Sequence, residues 1–204
     1  MENAATPLEE IRQRMAYAAR IASREPEEIS LVAVSKTHPP ESIVPLLEQG
    51  QRIFGENRVQ EAAAKWPALR EQWPDAELHL VGQLQSNKAD EAVALFDCIH
   101  SLDRASLVIA LAKAMDKAGR RIPCFLQVNI GAEPQKGGCA IADLPGLLAQ
   151  ARGANIPLAG LMCVPPLDVE PVPYFALLAK IAADNGLAKL SMGMSGDYRT
   201  PIML

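Results

Sequence analysis

The sequence is poor in the residues that mark several common classes of protein. Its 204 residues include only four cysteines, and aromatic residues make up 4% of the chain. The cysteines are widely spaced and form no CxxC motif or Cys/His cluster along the sequence. We therefore expect them to be buried small hydrophobic residues in a reducing compartment, and they are Cys98, Cys124, Cys139 and Cys163.

Strong charge and long apolar segments are also absent. The net charge is −4, acids and bases are interspersed, and no basic stripe indicates a nucleic-acid partner. No apolar run is long enough to span a bilayer, and the N-terminal segment has no apolar stretch typical of a signal peptide. The composition predicts one cytoplasmic domain, residues 1–204, with neither a membrane nor a nucleic acid as partner.

A short apolar segment followed by a helical stretch recurs seven times along the chain. Segments that are apolar on both faces and alternate with helices predict a parallel sheet covered by helices. No GxGxxG motif follows the first segment, which favours a (β/α)8 TIM-barrel-like fold over an open doubly wound α/β sheet. The seven predicted strands are Leu31–Ser35, Arg52–Gly55, Leu78–Gly82, Cys98–Leu102, Pro123–Ile130, Leu158–Val164 and Lys189–Met194.

Three segments add detail to this barrel. Helical spacing of apolar residues over Leu8–Ser23 predicts an extra N-terminal helix, and Pro67 predicts two short helices within Lys65–Trp73. The sequence stops at "SMGMSGDYRTPIML", soon after the seventh strand. We therefore expect the eighth strand of the barrel to be missing, or to survive only as a vestige at Pro201–Leu204.

The ends of the predicted strands carry the candidate site, because chemistry in these barrels lies after the C-terminal ends of the strands. Lys36 follows the apolar segment "LVAVS". A charged amine at the mouth of an apolar barrel is poorly solvated, and the neutral amine is the form that attacks an aldehyde. The alternative is a structural lysine whose stem lies along the strand end while its amine reaches water.

A second candidate is the glycine-rich segment "SMGMSGD" after the seventh strand. Its backbone N–H groups could hold a phosphate, although a plain glycine-rich turn is equally compatible. A Schiff-base lysine together with a phosphate site is typical of pyridoxal phosphate, and also of a sugar-phosphate aldolase. The strand ends show no paired carboxylates, Ser/His/Asp set or metal-ligand spacing, so we predict no catalytic and no metal-binding residue.

Six motifs in this sequence resemble those of the pyridoxal phosphate homeostasis protein family, in their order and spacing. They are "LVAVSKTHP", "FGENRVQE", "HLVGQLQSNK", "QVNIGAEPQKGG", "GLMCVPP" and "LSMGMSGDY". The resemblance runs from about residue 31 to residue 198. Proteins of this family resemble the barrel domain of bacterial alanine racemase, so the resemblance implies a fold of the alanine racemase N-terminal domain type.

The resemblance also implies roles for particular residues. It implies that Lys36 carries pyridoxal phosphate as an internal aldimine and that Asn57 lies near the cofactor ring. Lys136 matches a lysine that lies close to the cofactor in the family. The alternative is that it is an exposed loop lysine. The residues implied at the phosphate are Ser191, Gly193, Met194 and Ser195.

The function implied by the resemblance is binding, not catalysis. Members carry pyridoxal phosphate, deliver it to pyridoxal phosphate-dependent apoenzymes, and act in vitamin B6 and amino-acid/keto-acid homeostasis. Members also have a last strand with an arginine facing the pyridine nitrogen, which this sequence lacks. The resemblance implies a monomer, whereas an open barrel edge would favour association. The alternatives are a racemase-like enzyme and a relative that has lost cofactor binding.

Overall fold

The computed structural model describes residues 5–204 and contains seven parallel strands that alternate with helices. Each strand pairs with the next one along the chain, so the order in the sheet is β1 to β7. All seven strands lie within or overlap the predicted segments, which confirms that prediction. The strands are β1 (Ala33–Val34), β2 (Ile53–Glu56), β3 (Glu77–Leu80), β4 (Cys98–Leu102), β5 (Cys124–Gln127), β6 (Leu158–Met162) and β7 (Lys189–Ser191).

Eight α-helices are described in residues 5–204, and one of them precedes the first strand, as predicted. None of them is long and apolar enough to cross a membrane. Three short 3-10 turns lie at Pro26–Glu28, Ser86–Lys88 and Ile141–Asp143. The helices are α1 (Pro7–Ile21), α2 (Pro40–Glu48), α3 (Val59–Gln72), α4 (Ala89–Leu95), α5 (Ala105–Ala118), α6 (Leu144–Gly153), α7 (Val172–Asp184) and α8 (Arg199–Ile202).

The sheet is curled into an open barrel. His100 Nδ1 in β4 lies 2.7 Å from Ser191 Oγ in β7, although the two strands are three positions apart in the sheet. In a flat sheet that separation would be about 14 Å, since neighbouring strands lie roughly 4.8 Å apart. Within residues 5–204, β1 and β7 do not pair with each other and no eighth strand is present. The barrel-like fold is therefore confirmed, with its ring open between β1 and β7.

The two faces of the curled sheet are packed differently. The large hydrophobic core lies between the convex face and the helices, and it includes fully buried Phe54, Trp66 and Phe96. A smaller cluster on the concave face contains Cys98, Phe125 and Met162. All four cysteines are buried and free, as expected from their spacing.

The structure corrects the prediction for the helix around Pro67, and it rules out one of the two alternatives for the C-terminal segment. The segment around Pro67 is one continuous helix, α3, and not two short ones. Pro67 removes one backbone hydrogen bond, but Ala62, Trp66 and Leu69 hold the helix by burying one face against the core.

The C-terminal segment is helical and not the vestige of a strand. Ile202 in α8 is buried against Ala18 and Ala19 of α1. Arg24 Nη1 also donates to the carbonyl oxygen of Ile202 at 3.2 Å. These contacts dock the segment on the N-terminal helix, and it forms no strand beside β7.

Candidate functional site

The predicted site residues follow four different strands at one edge of the sheet. Because all strands are parallel, their C-terminal ends lie at the same edge. Lys36 follows β1, Asn57 follows β2, Lys136 lies in the segment after β5, and Ser191 ends β7. The fold therefore places the predicted residues on the same end of the curled sheet.

Lys36 is exposed, and within residues 5–204 its amine has no hydrogen-bond or ion-pair partner. The expectation of a poorly solvated amine is wrong for this structure. The sheet is open beside β1, and even the apolar side chain of Val34 is 46% exposed there. The amine of Lys36 is thus accessible to solvent.

The turn that carries Lys36 is held by side chains of α3. Thr37 has a left-handed backbone with a φ of 64°, which is costly for a non-glycine residue. Its N–H donates to Glu61 Oε1 at 2.6 Å. Lys65 Nζ donates to the carbonyl oxygens of Ser35 at 2.8 Å and His38 at 3.0 Å. The turn is therefore fixed from both sides of Lys36.

A buried ion pair lies beneath this turn. Glu56 is fully buried, and its Oε1 lies 2.8 Å from Lys65 Nζ. The same oxygen accepts hydrogen bonds from Ser35 Oγ at 2.6 Å and Trp66 Nε1 at 3.1 Å. Glu61 also contacts Lys65, and the hydrogen bond from Lys65, followed by that from the Thr37 amide, lowers the pKa of Glu61.

Sequence reasoning missed this network. The only signal in the sequence was the spacing of Glu61 and Lys65, which lie four residues apart on one helix and so can pair. Nothing in the sequence indicated that Glu56 would be buried at the end of β2 and would share the same lysine.

Asn57 lies in a cleft of about 340 Å³ between the ends of β2 and β3. Gly82 allows this close approach, because a Cβ at that position would lie 2.2 Å from the carbonyl oxygen of Asn57. Neither Lys36 nor Ser191 is among the residues that line this cleft. Its lining residues are Asn57, Arg58, Val59, Gln60, Gln83, Leu84, Gln85 and Lys88.

The glycine-rich turn after β7 is built from backbone. Gly193 has a φ of 89°, and a Cβ there would lie 2.8 Å from Pro201 Cγ, so the position needs glycine. The N–H of Met194 donates to Asp197 Oδ1 at 2.5 Å. The amides of Ser195 and Gly196 donate to no other residue in the described part of the chain. These two N–H groups are therefore available to an anion.

Lys136 is neither exposed nor free. Its Nζ donates to the carbonyl oxygen of Pro165 at 2.7 Å and pairs with Glu133 Oε2 at 2.7 Å. The side chain is 26% exposed. The alternative of an exposed loop lysine is therefore wrong. Lys136 links the segment after β5 to the segment after β6, and Glu133 balances its charge.

The concave face of the sheet holds a Cys/His cluster that the sequence did not reveal. Donor atoms of His79, Cys98 and His100 all lie within 4.8 Å of one another. Burial, and then His79, lowers the pKa of His100 to about 3. The sequence could have predicted that Cys98 and His100 share a face, because they are two residues apart on one strand. The register that brings His79 beside them came only from the structure.

Comparison with known proteins identifies the family. The family model for the alanine racemase N-terminal domain matches residues 7–197. The pyridoxal phosphate homeostasis protein of Escherichia coli strain K12 is 35% identical over 212 residues, covering 99% of this chain and 91% of the relative. The chain belongs to the family of pyridoxal phosphate homeostasis proteins. This confirms the resemblance carried by the six motifs.

Solved structures of this family share the fold. PipY from Synechococcus elongatus, solved with PLP bound, is 39% identical, with a TM-score of 0.82 and coverage of 94% of this chain and 92% of that one. An alanine racemase from Clostridium difficile is only 12% identical, with a TM-score of 0.66 and coverage of 91% and 50%. That second likeness shows the fold alone, and it confirms the alanine racemase type of barrel.

Proposed function

We propose that this chain binds pyridoxal phosphate through a covalent bond to Lys36 Nζ and carries the cofactor in vitamin B6 and amino-acid/keto-acid homeostasis. The observation that carries the proposal is the exposed amine of Lys36, which has no partner in residues 5–204, on a turn that a buried network holds in place. Support also comes from the PLP-bound structure of PipY, at 39% identity.

The residues present fit the three chemical parts of the cofactor. Lys36 offers a free amine for the aldehyde. Ser195 and Gly196 offer unused backbone N–H groups for the phosphate, and Ser191 at the end of β7 offers a hydroxyl. Asn57 offers a half-buried amide at the end of β2. When bound, pyridoxal phosphate supplies a reactive aldehyde and a conjugated ring that withdraws electrons.

A carrier role fits these residues better than turnover of a substrate. A racemase needs a general base positioned opposite the lysine. The three tyrosines do not supply one in the described structure: Tyr17 is 62% exposed on α1, Tyr174 packs against the helix-side core and Tyr198 against the α1–α8 cluster. Formation of D-alanine from L-alanine by the protein with pyridoxal phosphate would contradict a carrier role.

The attachment site is tested by the absorption spectrum of the protein mixed with pyridoxal phosphate, before and after borohydride. We expect a yellow band that borohydride removes, leaving a stable adduct on the chain. Lys36→Ala should abolish the band. It should change the free energy of unfolding by no more than about 0.5 kcal/mol, because the side chain is exposed.

The matched control is Lys113→Ala, an exposed lysine on α5 without an ion-pair partner in the described chain. It should keep the yellow band and the adduct. An equally yellow Lys36→Ala protein, with the adduct on another lysine, would show that Lys36 is not the attachment site.

A further inference from the structure

Three metal-ligating side chains meet on the concave face of the sheet, on two neighbouring strands. His79 in β3 and Cys98 in β4 are direct partners in the register of the parallel pair. His100 lies two residues beyond Cys98 on the same strand, so both side chains point to the same face. Side chains on paired strands are held more rigidly than side chains on loops, so the three donors are pre-positioned.

Each of the two histidines has one ring nitrogen that faces the other histidine and one that faces outward. The inner pair, His100 Nε2 and His79 Nδ1, lie 3.0 Å apart. The outer nitrogens have other partners: His100 Nδ1 is 2.7 Å from Ser191 Oγ, and His79 Nε2 is 3.6 Å from Glu77 Oε2. A metal-bound histidine typically donates its second N–H to an oxygen in this way, which fixes the ring and its tautomer.

We infer that His79 Nδ1, Cys98 Sγ and His100 Nε2 form a binding site for a borderline-soft divalent cation such as Zn²⁺. Two imidazoles and one thiolate are typical zinc ligands, and three protein ligands leave a fourth position for water or a small anion.

The proton balance of this binding is simple. Without metal, the two inner nitrogens share one proton, and the thiol of Cys98 carries another. When the cation binds, the proton leaves the inner pair of nitrogens. His100 then carries its one proton on Nδ1, and Ser191 Oγ accepts the hydrogen bond from it. The thiol proton leaves as Cys98 becomes a thiolate. Each cation bound therefore releases one proton to solvent.

The surrounding charges favour a cation over an anion. Two acids, Glu77 and Asp97, lie near His79 and Cys98, and one base, Lys189, lies near both in the described part of the chain. An imidazole binds a metal through a ring nitrogen that carries no proton, and a thiol binds as the thiolate. Binding should therefore weaken as the pH falls.

The test uses Co²⁺ as a spectroscopic probe on the purified full chain, without pyridoxal phosphate. We expect the near-ultraviolet band of a cobalt–thiolate bond and the visible bands of four-coordinate cobalt, both removed by one equivalent of Zn²⁺. Release of one proton per cation should be measurable with an indicator dye in weak buffer. Cys98→Ser should lose the near-ultraviolet band and the released proton, whereas Cys163→Ser, another buried thiol, should keep both.

Two further variants keep the test decisive if Cys98→Ser folds poorly. His79→Gln removes one ligand and should abolish four-coordinate binding. Glu77→Gln changes a side chain that is 59% exposed, so it should not affect folding, and it should weaken binding by about ten-fold through the outer N–H of His79. A wild-type chain that gives no cobalt–thiolate band, or a band unchanged in Cys98→Ser and His79→Gln, would leave only a hydrogen-bonded histidine pair and overturn the inference.

Discussion

The two outer strands of the sheet hold their C-terminal turns in opposite ways. After β1, the turn carrying Lys36 is fixed by side chains, namely the buried Glu56 and Lys65 and the nearby Glu61. After β7, the turn at 193–195 is exposed backbone, and Met194 within it is 50% exposed. Both turns belong to the candidate site. A buried ion pair stabilises the turn after β1, whereas the turn after β7 depends on the backbone conformation of Gly193.

The difference follows from what each turn has to offer a ligand. A reactive lysine needs a fixed backbone and a free amine, so its surroundings must supply the hydrogen bonds that hold the turn. An anion site needs unused N–H groups, so its turn cannot satisfy them internally. Substitutions that affect the two turns should therefore lower the free energy of unfolding by different amounts.

The largest effect should follow from removing the buried cation. Lys65→Met leaves Glu56 charged and buried with only Ser35 Oγ and Trp66 Nε1 as donors, and it releases the carbonyl oxygens around Lys36. We expect the free energy of unfolding to fall by about 3–5 kcal/mol, measured by urea denaturation.

The control for that loss is Lys113→Met, which replaces an exposed lysine on a helix and should be nearly neutral. The double variant Lys65→Met with Glu56→Gln should recover part of the stability, because no unpaired charge stays buried. A loss below about 1 kcal/mol for Lys65→Met would mean that the ion pair does not support the β1 turn.

The centre of the sheet should respond to pH more strongly than either outer turn. Burial, and then His79, lowers the pKa of His100 to about 3. The other neighbours of the ring are Cys98, Phe125 and Ser191. In the unfolded chain His100 binds a proton near pH 6.5, whereas in the folded chain it binds one only near pH 3. The stabilisation is therefore complete above pH 6.5 and is lost as the pH falls.

In chelator-treated protein, the free energy of unfolding should fall by about 2 kcal/mol when the pH is lowered from 7 to 5, because of His100. The lowered pKa of His79, which faces Glu77, Asp97 and Lys189, should add to the same slope. Urea melts at the two pH values should show a smaller loss for His100→Gln and an unchanged loss for His38→Gln, whose histidine is exposed. An equal loss in all three proteins would place the acid-sensitive group elsewhere.

The sequence predicted those parts of the molecule that depend on neighbouring residues. Apolar segments of four to eight residues located all seven strands, and the rule that parallel strands end at one edge gathered Lys36, Asn57, Lys136 and Ser191 there. What it could not predict were contacts set by strand register or by helix docking. The burial of Glu56 beside Lys65, and the position of His79 beside Cys98, both depend on such packing.

A moderate effect is expected from changing the turn after β7. Gly193→Ala forces a side chain into a left-handed backbone and against Pro201, and it should cost about 1–2 kcal/mol of stability. Pyridoxal phosphate should also bind more weakly, because the amides that follow would be displaced. Thermal melts and a cofactor titration measure both effects. Gly196→Ala has open space around its Cβ and should be much milder, so equal losses would rule out strain at Gly193 as the cause.

The smallest effect concerns the charge of Lys136, which Glu133 balances at 2.7 Å. The pair is partly exposed, so Lys136→Ala should lower stability by no more than about 1 kcal/mol. If the lysine also attracts the phosphate, Lys136→Ala should weaken pyridoxal phosphate binding by less than about ten-fold. Glu133→Gln, which leaves the lysine charge unbalanced, should then strengthen it. Opposite shifts in the two dissociation constants would establish an electrostatic role. Unchanged affinities in both variants would leave Lys136 as a link between the segments after β5 and β6.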